Sequence, residues 1–221
     1  MGVLQSWLPA VRLYAALGLL ACASSQAQDI PGYSSNVYAG DHRDMALVPK
    51  YCMYTRSFRE VVAGGDNQQM INAWAAQIGP TFTHLHHYCA GLIKANRGTL
   101  LSREPATRRF YLNDAIMEYD YVITRASEDF PLLPEVITKK GEALVQLGKG
   151  PLAVVEFERA IEVKADYWPP YARLGDYYKS AGDFGKARQI LEAGLSKTPD
   201  ATALQRRLAE LDNRPGRSSS R

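Results

Sequence analysis

Apolar positions along this chain recur every three or four residues, the spacing that lines one face of a helix. Tyr51, Cys52, Tyr54, Phe58 and Val62 predict a helix from about Pro49 to Val62, stopped by Gly64-Gly65. Met70, Ile71, Trp74 and Ile78 share a face from about Asn67 to Ile78, with Asp66 as its cap and Gly79-Pro80 as its end. A longer helix begins near Thr81 and carries Leu85, Tyr88, Cys89, Leu92 and Ile93 inward. Another, from about Pro105 to Ala126, buries Leu112, Ala115, Ile116, Tyr119, Val122, Ile123 and Ala126, and Pro131 closes it. Ala203, Leu204, Leu208 and Leu211 make a last amphipathic helix over 202–212. Residues 28–48 begin with a stretch rich in Gly, Ser, Asn and Pro and read as an extended arm with no core of its own, and the basic, Ser-rich tail 213–221 as disordered.

Between Pro134 and Asp200 the pattern repeats with a period of 34 residues. Gly141 returns as Gly175, Leu144 as Tyr178, Gly148 as Gly182, Ala153 as Ala187, Phe157 as Leu191 and Ala160 as Gly194. Each unit is two helices whose apolar faces one unit alone cannot bury, so the units must stack. The small residues Gly141, Gly175, Ala153 and Ala187 belong where helices approach closely, and Gly148 and Gly182 suit the left-handed turn that ends each first helix. Pro151 and Pro169-Pro170 fit helix starts, where a missing amide hydrogen costs little.

The spacing Tyr171-x-x-Leu174-Gly175-x-x-Tyr178, then Ala187-x-x-x-Leu191 and Pro199, resembles the tetratricopeptide repeat family. The first unit follows it more loosely, with Ile137-x-x-Lys140-Gly141-x-x-Leu144, Ala153-x-x-x-Phe157, and Ala165 in place of the family's proline. The resemblance implies an all-α fold: repeats at 134–167 and 168–201 stacked as a short right-handed α-solenoid, capped by 202–212, with extra N-terminal helices over 49–80. The pair at 81–131 reads as a degenerate repeat, in which Gly91, Gly98, Ile123, Ala126 and Pro131 match family positions only if roughly two helical turns are added to each helix. The resemblance also implies a concave groove lined by first helices, with Thr138, Glu142, Val145, Ala172, Asp176 and Lys179 facing the ligand. Basic residues that some members use to clamp a carboxylate are missing there apart from Lys179, so Glu142 and Asp176 make a mildly acidic groove suited to a basic or amide-rich peptide.

Composition narrows the setting. A chain of 221 residues with 46% hydrophobic content builds one helical domain of ordinary size, with no room for a second, enzymatic one. A formal charge of +3, with no basic stripe interleaved with aromatics, argues against nucleic acid. Arg12, the apolar run Leu13–Ala23 and the small-residue series Ser24-Ser25-Gln26-Ala27 read as a secretory signal over 1–27. Cleavage after Ala27 leaves a soluble periplasmic or secreted protein. Leu19-Leu20-Ala21-Cys22 also resembles a lipobox, in which lipidated Cys22 tethers the chain to a membrane. Either route leaves Cys52 and Cys89, an even pair that an oxidising compartment favours as a disulfide over two buried thiols.

Candidate chemistry is sparse. His84, His86 and His87 beside Cys89 raise a metal or haem carrier, but helical spacing puts at most two ligands on either side, and no Cys-x-x-Cys-His sequence is present. Glu118 with Asp120 and Glu156 with Glu158 point to different helix faces and read as solvated charges. There is no nucleophile elbow, His-Glu-x-x-His or phosphate loop. The expectation is therefore a nonenzymatic interaction scaffold of the bacterial periplasm without a cofactor, whose partner is another protein of the cell envelope; a lipid-anchored assembly or secretion factor is the alternative.

Overall fold

A computed structural model describes residues 30–213; the expected leader, Cys22 and the end of the tail lie outside the described residues. Among those described there is no strand. The helices are α1 (His42–Met45), α2 (Gln68–Ile78), α3 (Leu85–Asn96), α4 (Pro105–Ile123), α5 (Leu133–Gln146), α6 (Gly150–Val163), α7 (Pro169–Ser180), α8 (Phe184–Lys197) and α9 (Thr202–Asp212). From α3 onward each helix packs on the next, and the alternate helices α3, α5, α7 and α9 also lie beside one another. This is a stack of antiparallel pairs, α3–α4, α5–α6 and α7–α8, closed by α9.

Local chemistry sets the helix boundaries. Gly148 and Gly182 adopt φ of 73° and 80°, so each first helix ends in the left-handed turn that an L-side chain resists. Asp183 accepts a hydrogen bond from the Lys186 amide at 2.9 Å and starts α8. The cap of α2 is Asn67 rather than Asp66: its side chain takes the Met70 amide at 3.1 Å. A 3-10 turn over Pro80–His84 leads into α3, and a π-helical turn over Arg97–Leu101 extends it.

Within each pair a glycine of the first helix faces a large side chain of the second. A Cβ on Gly141 would stand 2.5 Å from the Phe157 ring, one on Gly175 2.7 Å from Leu191, and one on Gly91 2.5 Å from the Tyr119 ring. The α3–α4 pair is thus built on the same contact as the later repeats. Its counterpart of Phe157 is Tyr119, not Ile123, with Ala115 and Val122 taking the places of Ala153 and Ala160. Gly98, matched by sequence to the turn glycines, does not end its helix; it lets α3 approach α4, where a Cβ would lie 3.2 Å from the Arg108 carbonyl oxygen.

Two expectations for the N-terminal region are corrected. The segment 30–48 is no free arm: Val37, Asp44 and Val48 are buried, and its residues pack on the open face of α3 and α4. Arg97, fully buried, donates to Asp44 through Nε and Nη2 and to the Ser34 carbonyl at 2.6 Å, which ties the segment to the end of α3. Tyr38 stacks near Phe58 and donates to Glu118 at 3.3 Å. From Pro49 to Val62, instead of an α-helix, a 3-10 turn over Lys50–Tyr54 gives way to irregular turns. Thr55 breaks it, with an extended backbone and a hydroxyl that donates to the Cys52 carbonyl at 2.8 Å. Cys52 and Cys89 form a disulfide that fixes this segment to α3. Closing a loop of 37 residues stabilises by roughly 3–4 kcal/mol in the chain-entropy account.

The glycine contacts give a direct test. Gly141→Ala should lower stability by about 1–3 kcal/mol in urea unfolding, because the Phe157 ring is buried and cannot retreat freely. Adding Phe157→Leu, the size found at the equivalent position of the next unit, should recover part of that loss; simple addition of the two costs would mean that the two residues do not oppose each other.

Candidate functional site

The inner helices α5 and α7 enclose a pocket of about 390 Å³. Glu142, Val145 and Gln146 line it from α5, and Arg173, Asp176, Tyr177 and Ser180 from α7. Three of the expected ligand-facing residues, Glu142, Val145 and Asp176, therefore meet here. Val145 is 41% exposed, an apolar side chain open to solvent in the floor of a groove.

The other three do not face it. Thr138 is buried and its hydroxyl donates to the Pro134 carbonyl at 2.7 Å, a bond within its own helix. Ala172 is buried between helices. Lys179 lies further along and reaches Glu210 of α9 at 2.8 Å. Positions 138 and 172, one repeat apart, both sit deeper than the family pattern implies.

The groove is not acidic in the way the carboxylates alone suggest. Arg173 donates through Nε to Glu142 at 2.5 Å, and Lys139 donates to the same carboxylate at 2.9 Å. Arg207 grips Asp176 with both forks, at 2.9 and 2.8 Å. Lys139, Arg173 and Arg207 stand in the 34-residue register, as do Glu142, Asp176 and Glu210. Glu142, Asp176 and Glu210 are each held by an arginine or lysine of a neighbouring position, so this part of the groove wall is a ladder of ion pairs. The periodicity of these charges was open to view in the sequence; attention to the acids alone hid the arginines.

Other candidate groups are already engaged. His87 donates through Nδ1 to Glu118 at 2.5 Å and stacks on Tyr121, with ring centroids 3.7 Å apart. Lys94 donates to the other oxygen of Glu118 at 2.5 Å and pairs with Asp114 at 2.9 Å. Burial raises the Glu118 pKa, but the hydrogen bonds from Lys94 and His87 outweigh it and hold the carboxyl below its ordinary value. His86 is also lowered, to about 4, by burial first and then by His87 and Arg56. His84 lies edge-on to Tyr121. Among the described residues no three His, Cys, Asp or Glu side chains converge as metal ligands, and Cys89 is consumed in the disulfide. Glu118 and Glu156 are not solvated charges: both are largely covered, and Lys140 bridges Glu156 at 2.6 Å to Asp120 at 2.7 Å.

The architecture is that of an α-helical repeat protein, a stack of helical pairs covered at one end by residues 30–62 and at the other by α9. Residues 168–211, spanning α7, α8 and nearly all of α9, match the family described as Tetratricopeptide repeat. A search of the curated proteins finds no match. In this family such stacks commonly bind other proteins.

The ion-pair ladder predicts that Glu142→Lys combined with Asp176→Lys sets like charges together and lowers the urea midpoint, by up to about 1 kcal/mol per pair. The loss should shrink as salt is raised. An identical midpoint at low salt would show that the ladder does not form in solution.

Proposed function

We propose that the protein is an exported, nonenzymatic scaffold that holds a segment of another cell-envelope protein in the groove between α5 and α7. One observation carries this reading: the stack is covered at one end by residues 30–62 and at the other by α9, while a pocket of about 390 Å³ with exposed Val145 stays open on the inner helices. A rigid, preformed groove loses little entropy on binding, which suits presentation of a surface rather than turnover. The titratable groups that line it hold one another in ion pairs and leave no free acid and base facing a common point.

The leader-like run Leu13–Ala23 and the small residues before Gln28 support export, and the Cys52–Cys89 disulfide suits an oxidising compartment. The lipobox-like Leu19-Leu20-Ala21-Cys22 favours a second reading, in which the same scaffold is tethered to a membrane through lipidated Cys22.

Placing a photoreactive amino acid at Val145, in the whole chain with its own leader, should give a crosslinked adduct of defined size in cells. The same group at Leu152, exposed on the outer helix α6, should not. Equal adducts from both positions, or none from Val145, would contradict the groove.

A further inference from the structure

The carboxylates along the concave stripe of α5 and α7 are not equivalent. Glu142 is held by Arg173 and Lys139, and Asp176 by Arg207. Glu135, two turns before Glu142 on the same stripe, is half-buried, and no lysine or arginine among the described residues pairs with it. Lys139, one turn along, goes to Glu142 instead. Tyr88 donates to Oε1 of Glu135 at 2.6 Å, and no hydrogen bond among the described residues reaches Oε2.

Tyr88 touches this carboxylate, and further aromatic side chains lie near it. The Cys52–Cys89 disulfide, with Cα atoms 5.6 Å apart, brings together the preceding residues Tyr51 and Tyr88. Tyr51 is only 9% exposed and meets Trp74 edge-on at 5.5 Å; its hydroxyl and the Trp74 indole N–H are buried without partners. Tyr167, on the connection between α6 and α7, feels both Glu135 and Glu142. Burial, then the charge of Glu135, raises the pKa of all three phenols, so they remain neutral beside it. A half-buried carboxylate without a counter-cation, with one oxygen held by a neutral phenol and the other open, is a receptor for a cation, which gains its charge and a hydrogen bond.

We propose that Glu135, framed by Tyr51, Tyr88 and Tyr167, anchors a cationic side chain of the bound segment, so that the partner of the groove is a basic peptide. The inference rests on the scaffold reading and deepens it. From Glu135 to Val145 the helix rises about 15 Å, the span of four or five extended residues. A basic residue at one end and an apolar one at the other therefore fit this stretch of α5.

The test measures binding of fluorescein-labelled octalysine and octaglutamate to the whole chain by anisotropy. Octalysine should bind, roughly tenfold more weakly to Glu135→Gln and unchanged to Glu162→Gln, which removes an exposed acid on α6. No binding of octalysine, equal affinity for Glu135→Gln, or tighter binding of octaglutamate would each overturn the proposal. Glutamine keeps an acceptor for the Tyr88 hydroxyl. If the variant nevertheless melts early, amide shifts of the wild-type chain on titration with octalysine decide: changes centred on Tyr51, Glu135 and Tyr167 support the site, and changes confined elsewhere refute it. A negative result here, with the Val145 adduct still formed, leaves the scaffold standing with a different partner chemistry; loss of that adduct removes the scaffold itself.

Discussion

Close approach of two helices, made possible where a glycine lets a large side chain of the partner helix fill the space of its missing Cβ, is the contact on which this molecule is built. It occurs three times, at Gly91 with Tyr119, Gly141 with Phe157 and Gly175 with Leu191. Because interiors are packed as densely as crystals, each contact fixes both the distance and the rotation of its pair. The pairs then present matching apolar edges, and Leu144, Phe157, Tyr171, Leu174 and Leu191 merge into one buried cluster that runs from α5 to α9. Rigidity of the inner surface follows from that packing rather than from anything on the surface itself.

A stack of this kind has two raw ends, and the chain covers them by different means. Helix α9 continues the register at the C-terminal end, burying Leu204 and Leu211 while its outer side stays charged. At the other end no further helical pair continues the stack among the described residues. Residues 30–62 cover α3 and α4 in an irregular path, pinned by the disulfide and by the buried Arg97–Asp44 pair. Breaking a buried pair of this sort by removing one partner leaves an uncompensated charge, at a cost of about 3–5 kcal/mol. The same cover packs Tyr51 edge-on against Trp74 of α2.

The repeat region was legible because its information is periodic and local. Small residues at fixed points, turn glycines and apolar stripes all agree at 34-residue spacing, and each reports on a near neighbour in the chain. The α3–α4 pair was legible as helices but not in register. The glycine and its large partner are 28 residues apart there against 16 in the later units, and the choice between Tyr119 and Ile123, one turn apart on the same face, depends on packing across helices. Residues 30–62 escaped the reading because they are held by single long-range polar contacts, Asp44 with Arg97 and Tyr38 with Glu118, which leave no period to follow. In the groove, the family pattern located Glu142, Val145 and Asp176. It placed Thr138 and Ala172 too far outward, and it did not register that Arg173 and Arg207 neutralise the acids.

The account stands on one continuous stack in which the irregular N-terminal cover and the repeats form a common core. Hydrogen–deuterium exchange followed by mass spectrometry on the oxidised chain tests this most directly. Amides around Cys52, Thr55 and Phe58 should be protected to the same extent as those of α3, and α3 to the same extent as α5. Rapid exchange throughout 30–62, beside slow exchange in α5 to α8, would contradict it.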